Sequence, residues 1–328
     1  MIQHALTKFA TACLFAASIT ACSNEQSSTA KQAPTTAEQK IEQLTVGFQK
    51  SALNLVVAQQ EKWLEQQFPD AKIEWREFPA GPQMLEALAV GAVDFGYVGN
   101  TPPIFAQSAD KALYYIASEP ASFKGTALLV PGSSNIQRIE DLKGKRVAVQ
   151  KGSNAHELLA KVLQKAGLAW TDIEPIWLPP ADARAAFSKG SIDAWAIWDP
   201  YSTAAIFNDQ GRVLIDGQAF PATYLFYVAS PSFVAKHPQA VNHFIESINL
   251  ADKWVQQHPQ EAAAVLASAT GIERKIADRV IENRPKPATA TPLNTDVITK
   301  QQAIADQFHQ LQLIPKQIDV KQSVWPKP

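Results

Sequence analysis

From residue 44 onward, short apolar runs alternate with segments of helical spacing. Residues 44–48 form one such run and predict a strand. Within 52–68 the apolar positions 53, 56, 57, 63 and 64 recur at helical intervals, which predicts one helix. Ile73 and Trp75 stand between charged Lys72, Glu74 and Arg76, the alternation of a strand over 72–78. Gly81-Pro82 opens a helix through Leu85 and Leu88 that ends at Gly91. A buried strand follows over 93–98, a helix starts at Thr101, and strands are predicted at 113–117 and 127–130. Strands alternating with helices point to an α/β fold.

The pattern then repeats. Gly190-Ser191-Ile192-Asp193 resembles Gly91-Ala92-Val93-Asp94 at an offset of 99 (190 − 91). Val147-Ala148-Val149-Gln150-Lys151-Gly152 resembles Val46-Gly47-Phe48-Gln49-Lys50-Ser51 at an offset of 101 (147 − 46). Each stretch reads as strand, turn and helix start. Thr101-Pro102-Pro103 and Asp199-Pro200 pair an oxygen-bearing N-cap with a proline at the first helical position. Asn154 with Glu157 three residues on reads as a capping box for the helix containing Leu158, Leu159, Val162 and Leu163. A short helical segment is predicted at 136–142, a helix at 181–188, and strands at 146–150, 173–178, 190–198, 212–215 and 224–229. Helices are predicted at 237–256, 259–269, 272–281 and 299–311.

Two βα units in the same order at nearly one offset predict two related α/β lobes, each a mixed sheet flanked by helices. The strand at 224–229 is expected to cross back to the first lobe. The expected division is 42–130 with 230–328 for lobe 1 and 131–229 for lobe 2, joined by a hinge of crossing strands. Ligands of open α/β sheets bind beyond the carboxyl ends of the strands, so four such ends are expected to face one cleft.

Residues 1–22 read as a targeting segment. His4 and Lys8 precede an apolar stretch over 9–19, too short to span a bilayer as a mature helix. Ile19-Thr20-Ala21-Cys22 resembles a bacterial lipoprotein cleavage box, with Cys22 as the lipidated first mature residue; an ordinary signal peptide is the alternative. Residues 23–41 lack apolar periodicity and read as a flexible tether. Cys13 lies in the leader, so lipidation of Cys22 would leave no thiol for a disulfide. The 328 residues suit about two domains, and a formal charge of −1 gives no case for nucleic acid as a partner.

Catalytic motifs are absent from the sequence. There is no metal-ligand spacing among the histidines, no paired cysteine, no phosphate loop and no dinucleotide fingerprint, so neither metal nor cofactor is expected. His237, His243, His258 and His309 are expected on solvated helix faces. Ser153 and His156 lie three apart without a nucleophile elbow. Anion binding has more support. The turns at Asn100-Thr101 and Gly152-Ser153-Asn154 offer helix-start N–H groups and side-chain donors, and Gly99 and Gly152 permit close approach. Simple capping is the alternative for each turn. Trp198 is either core or apolar cover for a ligand tail. Asp199 either caps the helix that Pro200 opens or accepts a hydrogen bond from the far end of a ligand.

At these residues the chain resembles the aliphatic sulfonate-binding proteins of bacterial ABC importers. The resemblance is carried by VGFQKS, EFPAGPQMLEAL, GAVDFGYVGNTPPIFAQ, DLKGKRVAVQKGSNAHELL and LPPADARAAFSKGSIDAWAIWDPY, in order across residues 44–229. It implies a two-lobe periplasmic-binding fold of type II, monomeric, that closes on an alkanesulfonate and delivers it to a membrane permease and its ATPase for use as a sulfur source. It implies that Gln49, Gly99, Asn100, Thr101, Gly152, Ser153, Asn154, Trp198 and Asp199 line the cleft. Ser51 departs from the glycine usual at its position, and the lipoprotein leader departs from the freely soluble periplasmic form. The same fold serves taurine, nitrate and thiamin-pyrimidine precursor binders, which remain alternative ligand classes, as does an enzyme on this fold.

Overall fold

The computed structural model describes residues 40–327. The leader, Cys22 and all but the last two residues of the expected tether lie outside the described residues. Ten strands form two five-stranded sheets with the same layout. The elements in chain order are β1 (Gln43–Phe48), α1 (Leu53–Gln60), α2 (Trp63–Gln67), β2 (Lys72–Glu77), α3 (Gly81–Ala89), β3 (Phe95–Val98), α4 (Thr101–Ser108), β4 (Tyr114–Pro120), β5 (Thr126–Pro131), β6 (Arg146–Val149), α5 (Asn154–Lys165), β7 (Glu174–Trp177), α6 (Pro180–Ser188), β8 (Ala194–Trp198), α7 (Tyr201–Asn208), β9 (Gly211–Asp216) and β10 (Tyr224–Ala229). Helices then take over: α8 (Pro231–Lys236), α9 (Ala240–Gln257), α10 (Pro259–Thr270), α11 (Arg274–Asn283) and α12 (Thr295–Gln310).

The first sheet runs β2-β1-β3-β10-β4 and the second β7-β6-β8-β5-β9. In each, three parallel strands are followed by one antiparallel strand, which in turn carries the edge strand antiparallel to itself. The sequence repeat is therefore a repeat of structure. Gly91 and Gly190 take positive φ (73° and 69°) where α3 and α6 end, a conformation that costs glycine little. Asp94 Oδ2 then accepts from Thr45 N at 2.8 Å, and Asp193 Oδ2 accepts from Arg146 N at the same distance. Each carboxylate ties the start of its βα unit to the neighbouring parallel strand.

Alternation along the strands of the first sheet feeds two separate cores. Phe95, Tyr97, Tyr227 and Ala229 face α9, where Phe95 stacks on Phe244 at 4.4 Å. Val98, Phe226 and Val228 face α3, α4 and α12, against Met84, Ile304 and Phe308. Gly47 and Gly96 let Met84 lie flat on the sheet, since a Cβ would stand 2.7 Å from Met84 Cγ at Gly47 and 2.4 Å from its sulfur at Gly96. The second sheet shares one core with α5 and α6, centred on fully buried Trp195.

The pairing shifts the expected lobe limits. β5 pairs with β8 and β9, so the second lobe already holds Thr126 rather than starting at 131. β10 pairs with β3 and β4, so that lobe ends before Tyr224 rather than at 229. The chain crosses between the sheets at 121–125 and again at 217–223, and the two crossings are joined where Ala121 N donates to Thr223 O at 3.1 Å. The expected helix over 52–68 is two, because Lys62 is left-handed (φ 56°) and turns the chain so that Trp63 packs edge-on against Trp254. Among the described residues no helix is long and apolar enough to cross a membrane.

Candidate functional site

The carboxyl ends of β1, β3, β6 and β8 lead into turns that border one cavity of about 120 Å³. Its wall includes Leu53 and Asn54 from the first turn of α1, Gly81 from α3, Pro102 from α4, and Ser153 and Asn154 at the start of α5. Four helix starts thus border one space. The N–H groups of a first helical turn have no partner within the helix, and the macrodipole adds partial positive charge there. The prolines in the first turns of α3 and α4 remove donors, which leaves α1 and α5 as the better-equipped ends.

Of the nine residues expected to line the cleft, six do: Gln49, Gly99, Ser153, Asn154, Trp198 and Asp199. The other three stand behind the wall. Thr101 is fully buried, and its hydroxyl donates to Asn100 Oδ1 at 3.0 Å instead of facing a ligand. The Asn100 carbonyl accepts from Gln301 Nε2 at 2.5 Å, and the residue borders a smaller neighbouring cavity of about 40 Å³. Gly152, at φ 74°, donates its N–H to His156 Nδ1 at 3.2 Å and lies against the Phe105 ring, where a Cβ would come within 3.3 Å.

The helix caps also differ from expectation. Ser153, not Asn154, caps α5: its Oγ accepts from His156 N at 3.3 Å and donates to Gln150 O at 2.8 Å. That hydroxyl proton is committed, so donation to a ligand from this turn falls to the backbone and to the Asn154 amide, which gives one of its two N–H groups to Thr126 Oγ1 at 3.1 Å. The Ser153 hydroxyl meets the backbone rather than the ring of His156, so no nucleophile–base pair forms. Glu157 pairs with Lys161 instead of reaching back to a cap. Asn100, not Thr101, is the N-cap position of α4. Asp199 does bond into its helix, as Oδ1 accepts from Thr203 N at 3.1 Å, Thr203 Oγ1 at 2.6 Å and Ser202 Oγ at 2.5 Å. Burial pushes its carboxyl above the usual range, and these bonds oppose the shift.

Trp198 is both core and lining: it is 8 % exposed and belongs to the second lobe's apolar cluster, yet it borders the cavity. Gln49 is also buried, and its Nε2 has no hydrogen-bond partner. A buried amide donor without a partner is costly unless something fills the space before it.

Four further lining residues form a linked set that sequence reasoning missed: Asn54, Tyr97, Glu119 and Arg284. Glu119 accepts from Tyr97 OH at 3.1 Å, Tyr227 OH at 2.8 Å and Asn54 Nδ2 at 3.1 Å. Asn54 Oδ1 accepts from Arg284 Nη2 at 2.7 Å, and Arg284 Nη1 pairs with Asp252 Oδ1 at 3.2 Å. Burial pushes Glu119 upward, with Arg284 and the tyrosine hydroxyls pulling the other way. Arg284 is the one cationic side chain on this wall among the described residues.

No group of three or more metal-ligating side chains occurs among the described residues. His237 is buried against the Phe233 ring at 4.9 Å rather than solvated, because it follows directly on the short α8.

The sequence pattern of the NMT1-like family matches residues 37–271. A protein of Escherichia coli (strain K12) named for aliphatic sulfonate binding is 43% identical over 88% of this chain and 90% of its own length. The alkanesulfonate-binding protein SsuA from Xanthomonas axonopodis pv. citri, bound to MOPS, superposes with a TM-score of 0.85 at 43% identity, covering 88% of this chain and 99% of that one. The periplasmic aliphatic sulphonate binding protein SsuA from Escherichia coli gives a TM-score of 0.79 at 43% identity, over 87% of this chain and 97% of that one. Both sheets fall within the family match. The chain therefore belongs to the NMT1-like family, among its aliphatic sulfonate-binding proteins.

Proposed function

We propose that this protein is an extracytoplasmic solute receptor that captures aliphatic sulfonates between its lobes and passes them to an ABC permease and its ATPase. The observation that carries the reading is the cavity wall: residues in the first turns of α1 and α5, Gln49 with its unpartnered Nε2, and Arg284 all line it. A sulfonate is ionised at any physiological pH and offers three acceptor oxygens and no proton. A donor-rich head site suits it. Trp198, Leu225, Val280 and Pro285 on the same wall supply apolar cover for the organic tail. MOPS, bound by the Xanthomonas relative, is itself a sulfonate. Delivery to a permease rests on family membership.

Calorimetry over methane-, propane- and hexanesulfonate, with sulfate as the tailless control, tests the reading. The sulfonates bind, and sulfate binds more weakly because it cannot use the apolar wall. Trp198→Ala penalises the longer tails, by roughly fourfold for each methylene that loses cover, at about 0.8 kcal/mol each. Sulfate binding as tightly as every sulfonate would overturn it. The protein acts as a receptor rather than an enzyme, so mass spectrometry after long incubation recovers the sulfonate unchanged; a desulfonated product would show otherwise.

Cys22 anchors the protein to a membrane through a lipid, with residues 23–41 as the tether. The support is the Ile19-Thr20-Ala21-Cys22 box in the sequence. Cys22→Ala removes acyl label and releases the protein from the detergent-extracted fraction; unchanged partitioning and label would refute the anchor. The folded part acts as a monomer in the periplasm, and sedimentation at micromolar concentration checks the first point.

A further inference from the structure

Helix α11 belongs to the first lobe and reaches across to the second. Ala277 and Ile281 pack it into the apolar cluster that holds Leu53, Val57 and Leu266. Lys275, Arg279 and Asn283 recur every four residues and so share another face of the helix. That face meets the second lobe. Lys275 Nζ and the Arg279 guanidinium lie over the Phe207 ring of α7, 5.8 Å and 5.9 Å from its centroid. Asn283 Nδ2 stands 3.5 Å from Asp199 Oδ2. Beside this stripe, Glu273 Oε1 accepts from Asn208 Nδ2 at 2.6 Å, and Glu273 pairs with Lys275 at 3.0 Å.

Each partner is fixed within its own lobe. Arg184 Nε donates to Asp209 Oδ2 at 2.7 Å, which ties the end of α7 to α6. Helix α11 carries Val280 and runs on into Arg284 and Pro285, and all three line the cavity. Parting the lobes would break the contacts of α11 with α7 and leave the fold of each lobe intact. A contact present only in the closed arrangement shifts the population toward it, and raises ligand affinity in proportion. Resting on the reading of the cavity as the ligand site, we infer that α11 and Phe207 form a latch that holds a share of the molecules closed before any ligand arrives. Phe207, Asn208 and Glu273 touch no ligand; they act through α11 as positioning residues for Arg284 and Val280.

The test is calorimetry with propanesulfonate on the full chain, as wild type, Phe207→Leu, Phe207→Trp and Asn208→Ala, with a denaturant midpoint for each. Phe207→Leu keeps an apolar side chain but offers no π face to the two cations. Each such contact at an exposed site is worth about two- to fivefold in an equilibrium constant, so this variant binds about fivefold more weakly. Phe207→Trp restores wild-type affinity, because indole presents the better face. Asn208→Ala also weakens binding, by roughly threefold or more, as it loses a hydrogen bond to a carboxylate. Midpoints change little, since Phe207 is 44 % exposed and the Asn208–Glu273 bond lies at the surface. Undiminished affinity in Phe207→Leu overturns the latch and leaves the sulfonate reading intact. Equal weakening in Phe207→Leu and Phe207→Trp overturns it too, as does a midpoint that falls in step with affinity, because either gives the ring a merely structural role. If the wild type binds no propanesulfonate, the sulfonate reading falls and small-angle scattering of the ligand-free proteins decides the latch. A smaller radius of gyration for the wild type than for Phe207→Leu supports it, and equal radii overturn it.

Discussion

His156 makes a pH dependence that can be worked from the structure. The ring lies between lobes, with Phe105 at 5.7 Å and Phe308 at 5.4 Å on one side and Trp170 at 5.0 Å and Trp177 at 5.2 Å on the other. It is 1 % exposed; Nδ1 accepts from Gly152 N and Nε2 has no partner. A protonated ring would lose the Gly152 bond and set a charge among four aromatic rings. Burial first, and the Lys151 ammonium second, hold the imidazole down at about 3 from 6.5. The folded value is depressed, so the neutral ring contributes stability above pH 6.5, lost as pH falls toward 3. Between pH 7 and pH 5 the unfolded chain takes up this proton and the folded chain does not. At about 1.4 kcal/mol per pH unit for one proton, the integrated loss over that interval is about 2 kcal/mol. Urea unfolding at pH 7, 6 and 5 measures it in the wild type and in His156→Asn, whose amide oxygen still accepts from Gly152. The variant is less stable throughout but lacks this part of the pH dependence. Parallel pH profiles for the two proteins, or a His156 resonance titrating near 6.5 in the folded state, would refute the reasoning.

Arg284→Met leaves Asp252 buried without its cation and lowers stability by about 3–5 kcal/mol, read by denaturant midpoint; adding Asp252→Asn restores most of the stability but not sulfonate affinity. Gly99→Ala sets a methyl 3.0 Å from Asn154 Cβ across the cleft. Its unfolding midpoint stays close to wild type, while calorimetry shows binding weakened by about 1–2 kcal/mol. Gly96→Ala instead meets the Met84 sulfur inside a packed core and costs about 1–3 kcal/mol of stability, with ligand affinity unchanged once the protein is folded.

The repeat made the fold legible. Four strand ends and the glycines that precede two of them can be read from the sequence because the signals are local: a turn residue, a short apolar run, a cap. The lobe limits were misread because pairing is not local. Nothing in Thr126–Pro131 distinguishes a strand that joins the following lobe from one that completes the preceding one. The site divides in the same way. Gln49, Ser153 and Asn154 sit at turns that announce themselves, whereas Asn54 is one polar residue in the apolar run Leu53-Asn54-Leu55-Val56-Val57. Its partner Arg284 lies 230 positions away. A polar residue inside an apolar helix is a visible signal of a buried partner, but it does not say which one. At Asn100 and Thr101 the sequence does not disclose that the Thr101 hydroxyl and the Asn100 carbonyl bond within the fold, to Asn100 Oδ1 and from Gln301.

The layout of the first sheet has a consequence for the order in which the molecule assembles. All five strands of the second sheet are consecutive, β5 to β9, so that lobe is complete once residue 216 is available. The first sheet keeps a gap between β3 and β4 until β10 arrives, because those two strands bond to β10 and not to each other. Helices α9 to α12, which cover it, come later still. As the chain emerges from its amino end, the lobe begun first is therefore finished last. In the meantime, β3 and β4 present unpaired edges and an uncovered apolar face. Closing that gap requires contacts of high sequence separation, the kind that form slowly and leave a chain open to aggregation. A holding chaperone would find its binding surface on the first sheet, and the vulnerable interval would end when Tyr224–Ala229 slots between its two neighbours.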